Sequence, residues 1–169
     1  MAQEGLTMTI ALREVILLRH AHAEPADTGQ ADVDRPLSPH GLAEAEAAGR
    51  WLLEQRLVPD RVLCSPARRA RETLEAVLEL TGYVEQCLEP RAYEATSGTL
   101  AALLDEHRDV ERLLLVGHNP GLEQLAALMH SGQSGDYRGM PTASVVVLTV
   151  PQDAAIEPGV ARLTAFWWP

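Results

Sequence analysis

Short apolar runs alternate with longer amphipathic stretches along most of the chain. The two most apolar runs, at 14–20 and 112–118, predict strands that are buried on both faces. Weaker apolar runs predict further strands at 61–65, 84–88, 143–150 and 159–168. Apolar residues at helical spacing predict helices at about 38–56, 65–81, 99–108 and 121–131. The polar, Gly-containing segments 27–35 and 132–141 are expected to be loops.

Residues typical of helix ends support two of these helices. Ser38-Pro39 and Ser65-Pro66 each read as an N-cap followed by a proline in the first turn, and Gly82 suits a C-terminal cap. The expected buried stripe of the first helix is Leu42, Ala45, Gly49, Leu52 and Leu53.

The alternation of strands and helices indicates an α/β protein. We predict a three-layer α/β/α sandwich with a mostly parallel central sheet, built as one domain over residues 1–169. Ligands of such sheets bind beyond the carboxyl ends of the strands. Arg19-His20 and Gly117-His118 end the two most apolar strands. If these strands are neighbours, two imidazoles and a guanidinium converge on one pocket.

Composition and charge exclude several classes of function. A net charge of −10 argues against binding to nucleic acid or to an anionic membrane. The chain contains no lysine, which excludes Schiff-base lysine chemistry and the Walker A phosphate loop. Cys64 and Cys87 lie in apolar stretches and outside any CxxC pair, so we expect them to be core residues. No apolar run has membrane-spanning length, and the N-terminal stretch lacks the pattern of a signal peptide, so a cytoplasmic location is expected.

The residues at the strand ends suit phosphoryl transfer. A neutral imidazole held in place is a competent nucleophile toward phosphorus. Arginine binds phosphate oxygens through a rigid fork of donors that stays charged. The second histidine, when protonated, can donate to the same oxygens.

A further arginine is expected from the segment "SPARRARET". Arg68, Arg69 and Arg71 crowd the start of a helix, where positive charge opposes the helix dipole. Two of them, Arg68 and Arg71, have a glutamate four residues on, whereas Arg69 does not. Helical spacing alone leaves it open whether Arg69 belongs to the site.

Four motifs in this order resemble the histidine phosphatase superfamily, which has the phosphoglycerate mutase-like fold. They are "LLRHAHAE", "DRPLSPHG", "SPARRARET" and "LLLVGHNPG", within a resemblance that covers about residues 12–150. The sequence is most similar to the small SixA-type phosphohistidine phosphatases of that superfamily. The resemblance implies a phosphatase that works through a phosphohistidine enzyme intermediate without a metal or other cofactor.

The resemblance also implies roles for individual residues. His20 would be the nucleophile, Arg19 and Arg69 would bind phosphate, and His118 would be the second pocket histidine. Asp34 and Arg35 would line the rim.

A general acid is the least defined member of the implied site. Related enzymes carry a Glu or Asp in the region after the third strand, and Glu94 of "RAYEATSG" is the candidate here. SixA-type proteins often lack such an acid. Imidazole, with a pKa near 6.5, leaves phosphorus far more readily than an alkoxide. The expected substrate is therefore phosphohistidine on a protein, and a histidine phosphotransfer domain is a possible partner of this kind. The protein itself is expected to be a monomer.

Three alternatives stay open at the level of sequence. The same superfamily includes phosphatases of small phosphate monoesters, and Glu94 would serve that chemistry. His20 and His22 have the H-x-H spacing of metal-dependent hydrolases. A non-catalytic phosphoprotein-binding module would keep the anion pocket without turnover.

Overall fold

A six-stranded sheet forms the centre of the protein. The computed structural model describes residues 10–136 and 138–169. The strands are β1 (Leu12–Arg19), β2 (Arg61–Cys64), β3 (Glu85–Leu88), β4 (Arg112–Gly117), β5 (Val145–Pro151) and β6 (Arg162–Trp167). The α-helices are α1 (Pro39–Glu54), α2 (Arg68–Thr81), α3 (Ser97–Asp105) and α4 (Gly121–Ser131), and short 3₁₀ turns lie at Asp32–Asp34 and Pro90–Ala92.

The strand order is β3-β2-β4-β1-β5-β6. β3, β2, β4 and β1 pair with one another in parallel, whereas β5 pairs antiparallel with β1 and β6 pairs antiparallel with β5. β1 and β4, the two most apolar strands, pair directly, and Arg19 lies opposite Gly117. The predicted mostly parallel α/β fold and the predicted adjacency of these two strands are therefore confirmed.

The helices pack against the two faces of the sheet through two apolar cores. Alternate residues of β1 point to opposite cores, with Val15 and Leu17 in one and Ile16 and Leu18 in the other. The first core is filled by α3 and α4, and the second by α1 and α2. All four of these β1 residues are fully buried, which explains why the strand has no polar alternation.

The buried stripe of α1 differs from the predicted one. Leu42 and Leu53 are 47% exposed, whereas Ala48 is fully buried. The cause is close packing of α1 on α2: a Cβ added at Gly49 would lie 3.1 Å from the Cα of Val77. Small residues therefore form the contact, and the larger apolar residues beside them stay at its margin.

Two other helix boundaries differ from the prediction. Ser38 caps α1 as predicted, accepting a hydrogen bond from the Gly41 N–H. α2 begins at Arg68 and not at Ser65, and the Ser65 hydroxyl accepts from the Ala67 N–H, outside the helix. α3 ends at Asp105, three residues before the predicted end.

The remaining sequence-based expectations concern exposure and the chain ends. Cys64 is buried and Cys87 is half-buried against the core, and both are free thiols. Within the described residues, no helix is both long and apolar enough to cross a bilayer. The sequence predicts that the N-terminal stretch is not a signal peptide. Most of this stretch is residues 1–9, which lie outside the described residues.

Candidate active site

The carboxyl ends of β1 and β4 bring His20 and His118 together. The His20 N–H donates to the Gly117 carbonyl at 3.0 Å, which joins the two strand ends. The imidazole centroids of His20 and His118 lie 5.0 Å apart. Both rings open on a cavity of about 410 Å³. The cavity is lined by Arg19, His20, Asp32, Arg69, Tyr93, Glu94, Ala95, Thr96, His118, Asn119, Pro120 and Gln124.

A backbone carbonyl fixes the tautomer of His20. Its Nδ1 lies 2.8 Å from the Ala21 carbonyl oxygen, which can only accept, so Nδ1 carries the hydrogen. Nε2 is then left with its lone pair. Burial, followed by the positive charges of Arg69 and Arg19, lowers the pKa of His20 to about 4. His20 is therefore a neutral base, with a free ring nitrogen, at neutral pH.

His118 is held at both ring nitrogens. Its Nε2 lies 2.7 Å from the Ser65 hydroxyl, and its Nδ1 lies 3.4 Å from Nη2 of Arg69. The Tyr93 ring packs edge-on against it, with the centroids 5.5 Å apart. Burial, followed by the charges of His20 and Arg69, lowers the pKa of His118 to about 3. His118 is thus also neutral in the free site.

Arg19 is anchored by the loop before β5. Its Nη1 donates to the Met140 carbonyl at 2.8 Å, and the Asn119 amide donates to the same oxygen. The Arg19 Nε is buried and makes no hydrogen bond to any described residue. Burial lowers the pKa of Arg19, but a guanidinium remains charged at physiological pH. A buried, charged donor without a protein acceptor is suited to binding an oxyanion.

Arg69 is more deeply buried than Arg19, with its side chain only 8% exposed. It reaches the cavity from the first turn of α2. Nη1 donates to the Asp32 backbone carbonyl at 2.8 Å and Nη2 to its carboxylate at 3.0 Å. Its Nε is also buried without a partner among the described residues. Arg69, which helical spacing alone did not select, thus lies in the same cavity as Arg19 and both histidines.

Asp32 links Arg69 to the aromatic wall. Its carboxylate accepts from the Tyr93 hydroxyl at 2.5 Å and from Arg35 at 3.0 Å. The hydrogen bond from Tyr93, followed by those from Arg35 and Arg69, holds the pKa of Asp32 well below its usual range. The Arg69 guanidinium carbon also lies 6.0 Å from the Tyr93 ring centroid. Asp32 and Tyr93 together fix the orientation of Arg69.

Known proteins with similar sequence and structure identify the family. The model of the histidine phosphatase superfamily (branch 1) matches residues 15–110. An uncharacterized protein of Mycobacterium tuberculosis is 38% identical over 163 residues, which is 90% of this chain and 99% of that protein. The phosphohistidine phosphatase SixA of Escherichia coli is 32% identical over 127 residues, which is 72% of this chain and 76% of that protein.

A solved structure from Agrobacterium tumefaciens, provisionally named phosphohistidine phosphatase SixA, has a TM-score of 0.80 at 32% identity. The aligned region covers 93% of this chain and 98% of the Agrobacterium chain. The chain belongs to the histidine phosphatase superfamily. The phosphoglycerate mutase-like fold expected from the sequence is thereby confirmed, and the chain is a phosphatase by family.

The rim of this histidine phosphatase differs from the predicted one. Asp34 is exposed and does not line the cavity, whereas Asp32, two residues earlier, does. Arg35 does not line the cavity either; it donates to Asp32 and to the Glu24 carbonyl. The sequence signal was ambiguous, because Asp32 and Asp34 flank one residue of the same 3₁₀ turn. Only the three-dimensional turn determines which carboxylate faces Arg69.

Glu94 lies at the mouth of the histidine phosphatase cavity, exposed to solvent. Its φ of 56° is in the left-handed region, which is uncommon for a residue other than glycine. This backbone places Glu94 beside Tyr93 in the loop before α3. The carboxylate of Asp32 is bonded to three side chains, and Glu94 is the other carboxyl group among the described residues that line this cavity.

The two histidines of the H-x-H pair have different surroundings. His22 does not line the cavity; its Nδ1 lies 2.7 Å from the Ser38 hydroxyl, and its ring packs against His40. Across residues 10–136 and 138–169, no group of three or more His, Cys, Asp or Glu side chains is arranged to hold a metal ion. The spacing of His20 and His22 therefore does not place both rings on one site.

Proposed function

We propose that this protein hydrolyses phosphohistidine in a phosphorylated protein, through a phosphohistidine intermediate on its own His20. The observation that carries the proposal is the free Nε2 of His20, which opens on a cavity shared with the half-buried Arg19 and the buried Arg69. A neutral imidazole with one nitrogen fixed and the other free is a nucleophile in the correct tautomer. Arg19 and Arg69 supply the donors that a phosphoryl group requires.

The reaction proceeds in two displacements. His20 Nε2 attacks phosphorus in line, the P–N bond of the substrate breaks, and the leaving imidazole takes up a proton from solvent at its other ring nitrogen. Water then attacks the phosphorylated His20, the P–Nε2 bond breaks, and inorganic phosphate is released. The guanidinium groups of Arg19 and Arg69 balance the negative charge of the phosphoryl oxygens in both steps.

Phosphohistidine is favoured as substrate by the acid–base groups at the cavity. Asp32 is ionised and occupied by Arg69, Arg35 and Tyr93, and Glu94 is exposed at the rim. Departure of an imidazole needs little help from an acid, because its pKa lies near 6.5. We further propose that the partner is a protein such as a histidine phosphotransfer domain and that the enzyme acts in signal transduction. We propose that it is a monomer in the cytoplasm and works without a metal or other cofactor.

Hydrolysis of small phosphate monoesters is the second candidate. The location of Glu94 at the mouth favours it, because a carboxyl group there can protonate an alkoxide leaving group. This candidate uses the same nucleophile and the same arginines. It differs only in its dependence on Glu94.

Trapping of the intermediate tests the proposal. The protein is mixed with a ³²P-phosphohistidine peptide and quenched, and acid-labile, base-stable label on the protein is counted. We expect label on the wild type and on His22→Ala, which removes the histidine outside the cavity, and no label on His20→Ala. Absence of label and of turnover with every substrate would instead indicate a binding module. Activity lost in EDTA and restored by zinc would indicate a metal-dependent hydrolase.

Comparison of substrates tests the preference. We expect the phosphohistidine peptide to be turned over faster than a phosphoserine peptide of the same sequence and than p-nitrophenyl phosphate. Glu94→Gln should change phosphohistidine turnover less than about threefold, because the leaving imidazole needs little acid catalysis. Equal rates on all three substrates would refute the preference for phosphohistidine and leave the phosphatase assignment intact.

A further inference from the structure

Ser65 is a buried residue whose hydroxyl contacts His118 and which the proposed reaction does not use. It directly follows β2, is 0% exposed, and donates its backbone N–H to the Val116 carbonyl at 3.0 Å. Its side-chain oxygen lies 2.7 Å from His118 Nε2 and 3.2 Å from the Ala67 N–H. The hydroxyl is therefore held in place and directed at the ring of His118.

The neighbours of His118 determine its tautomer in the free site. Nη2 of Arg69, which can only donate hydrogen bonds, lies 3.4 Å from Nδ1 of His118. Nδ1 must then accept, Nε2 carries the hydrogen, and the Ser65 oxygen accepts from it. A phosphoryl oxygen, however, can only accept, so His118 can bind it only with a hydrogen on Nδ1. The pKa of His118 is lowered to about 3, mainly by burial, which disfavours protonation of both nitrogens.

We propose that Ser65 is a positioning residue that sets the tautomer of His118 and lets it change when an oxyanion binds. In the free site the Ser65 oxygen accepts from Nε2–H. In the complex the hydroxyl rotates and donates to a bare Nε2, while Nδ1–H donates to a phosphoryl oxygen. One proton leaves Nε2 for solvent and one is taken up from solvent at Nδ1, so the charge of the ring is unchanged. This inference rests on the proposed phosphoryl chemistry.

The contrast between the two histidines supports this role. His20 is held by the Ala21 carbonyl, which only accepts, so its ring has one tautomer, the one a nucleophile needs. His118 is held by a hydroxyl, which both accepts and donates, so its ring can have either tautomer without moving. A carboxylate in place of Ser65 would fix Nε2–H and add negative charge beside the phosphoryl group. A hydroxyl avoids both effects.

Nitrogen NMR of the wild type tests the tautomer directly. With ¹⁵N-labelled histidine, we expect His118 to carry hydrogen on Nε2 in the free protein and on Nδ1 in saturating inorganic phosphate. The resonance is assigned by its loss in His118→Gln. Hydrogen that stays on Nε2, hydrogen on both nitrogens, or a spectrum that phosphate leaves unchanged would each refute the proposal. The phosphatase assignment is judged separately, by the label trapped on His20.

Two serine variants test the effect on catalysis. We expect Ser65→Ala to lower kcat about tenfold and to change KM less than about threefold, because the Nδ1–H contact strengthens as charge develops. Ser65→Thr, which keeps a hydroxyl, should restore most of the loss. The control is Ser144→Ala, since Ser144 is equally buried and its hydroxyl has no partner among the described residues. A lower Tm with unchanged kcat would show that Ser65 is only structural, and would refute the proposal.

Discussion

The two histidines and Arg19 illustrate which site residues a sequence can reveal. Each follows or ends a strand so apolar that it must be buried, so its position at the sheet edge follows from the strand itself. Arg69 could not be selected this way. It lies on a helix with other arginines, and only its burial against Asp32 distinguishes it from Arg68, whose side chain is 49% exposed.

The residues that sequence reasoning missed act through contacts between distant segments. Asp32 lies in a 3₁₀ turn, Ser65 follows a strand and Tyr93 follows a second 3₁₀ turn, and each is an ordinary polar residue in its local sequence. Their roles depend on side-chain distances that no local pattern contains. Asp34 illustrates the same limit, because the choice between it and Asp32 is made by one 3₁₀ turn.

Replacement of Arg69 by lysine separates charge from geometry. Lysine keeps the positive charge but cannot donate to both Asp32 and an oxyanion through one planar group. We expect Arg69→Lys to lower kcat/KM about a hundredfold, which corresponds to losing one or two charge-assisted hydrogen bonds. Steady-state kinetics on the preferred substrate measure the loss.

Arg68→Lys is the matched control, because Arg68 is the preceding residue of α2 and pairs at the surface with Glu72 at 3.4 Å. An exposed pair of this kind contributes little to stability, so kcat/KM should stay within about twofold. Similar losses in the two variants would mean that total charge, and not the donor geometry of Arg69, determines phosphate binding.

At the scale of whole elements, the sequence predicted strands better than helix faces and helix starts. The strands are specified by their own apolar runs, whereas the buried face of α1 is determined by its partner α2. Gly49 packs so closely on Val77 that small residues form the contact, and Leu42 and Leu53 are left at its edge. α2 begins later than predicted because the Ser65 hydroxyl contacts Ala67 and His118 and does not cap the helix.

The start of α4 packs against the loop that forms the mouth of the cavity. A Cβ added at Gly121 would lie 2.5 Å from the Ala95 carbonyl oxygen and 3.1 Å from a Leu100 methyl carbon. We expect Gly121→Ala to push this loop outward, lowering the free energy of unfolding by about 1–3 kcal/mol. Since Ala95 lines the cavity, kcat/KM should fall as well. Urea denaturation and steady-state kinetics measure the two effects.

Gly98→Ala provides the control at the start of α3, beside the same loop. A Cβ there would meet only the Thr96 hydroxyl oxygen, at 3.9 Å, and alanine favours a helix over glycine. This variant should be as stable as the wild type or more stable, with unchanged kcat/KM. A Gly121→Ala protein as stable and as active as Gly98→Ala would show that the loop does not depend on close contact with α4.

The whole molecule combines a strongly acidic chain with a site in which positive charge is concentrated. The net charge is −10, yet two guanidinium groups, those of the half-buried Arg19 and the buried Arg69, line the cavity. Their field and the burial of the rings keep both histidines neutral, so the fold opposes protonation of its own site. The sequence predicted the meeting of these groups from topology, but it could not predict their effect on each other, which depends on distances of a few ångströms.

The low pKa values of His20 and His118 in the folded protein predict how its stability changes with pH. The fold holds the pKa of His20 at about 4 and that of His118 at about 3, whereas both are near 6.5 in an unfolded chain. As the pH falls below 6.5, the unfolded chain takes up protons that the folded one does not. The free energy of unfolding should therefore fall with pH, by at most about 1.4 kcal/mol per pH unit for each histidine.

Urea denaturation of the wild type and of a His20→Asn, His118→Asn double variant, between pH 8 and pH 4.5, measures this contribution. Above about pH 7.5 both histidines are almost entirely neutral in both states, so the difference between the two proteins should be constant. Below pH 6.5 the wild type should lose stability more steeply, while the effect of the Asp32 carboxylate is common to both. Parallel curves over the whole range would mean that the fold does not depress the histidine pKa values, and that the imidazoles are more solvated than their packing indicates.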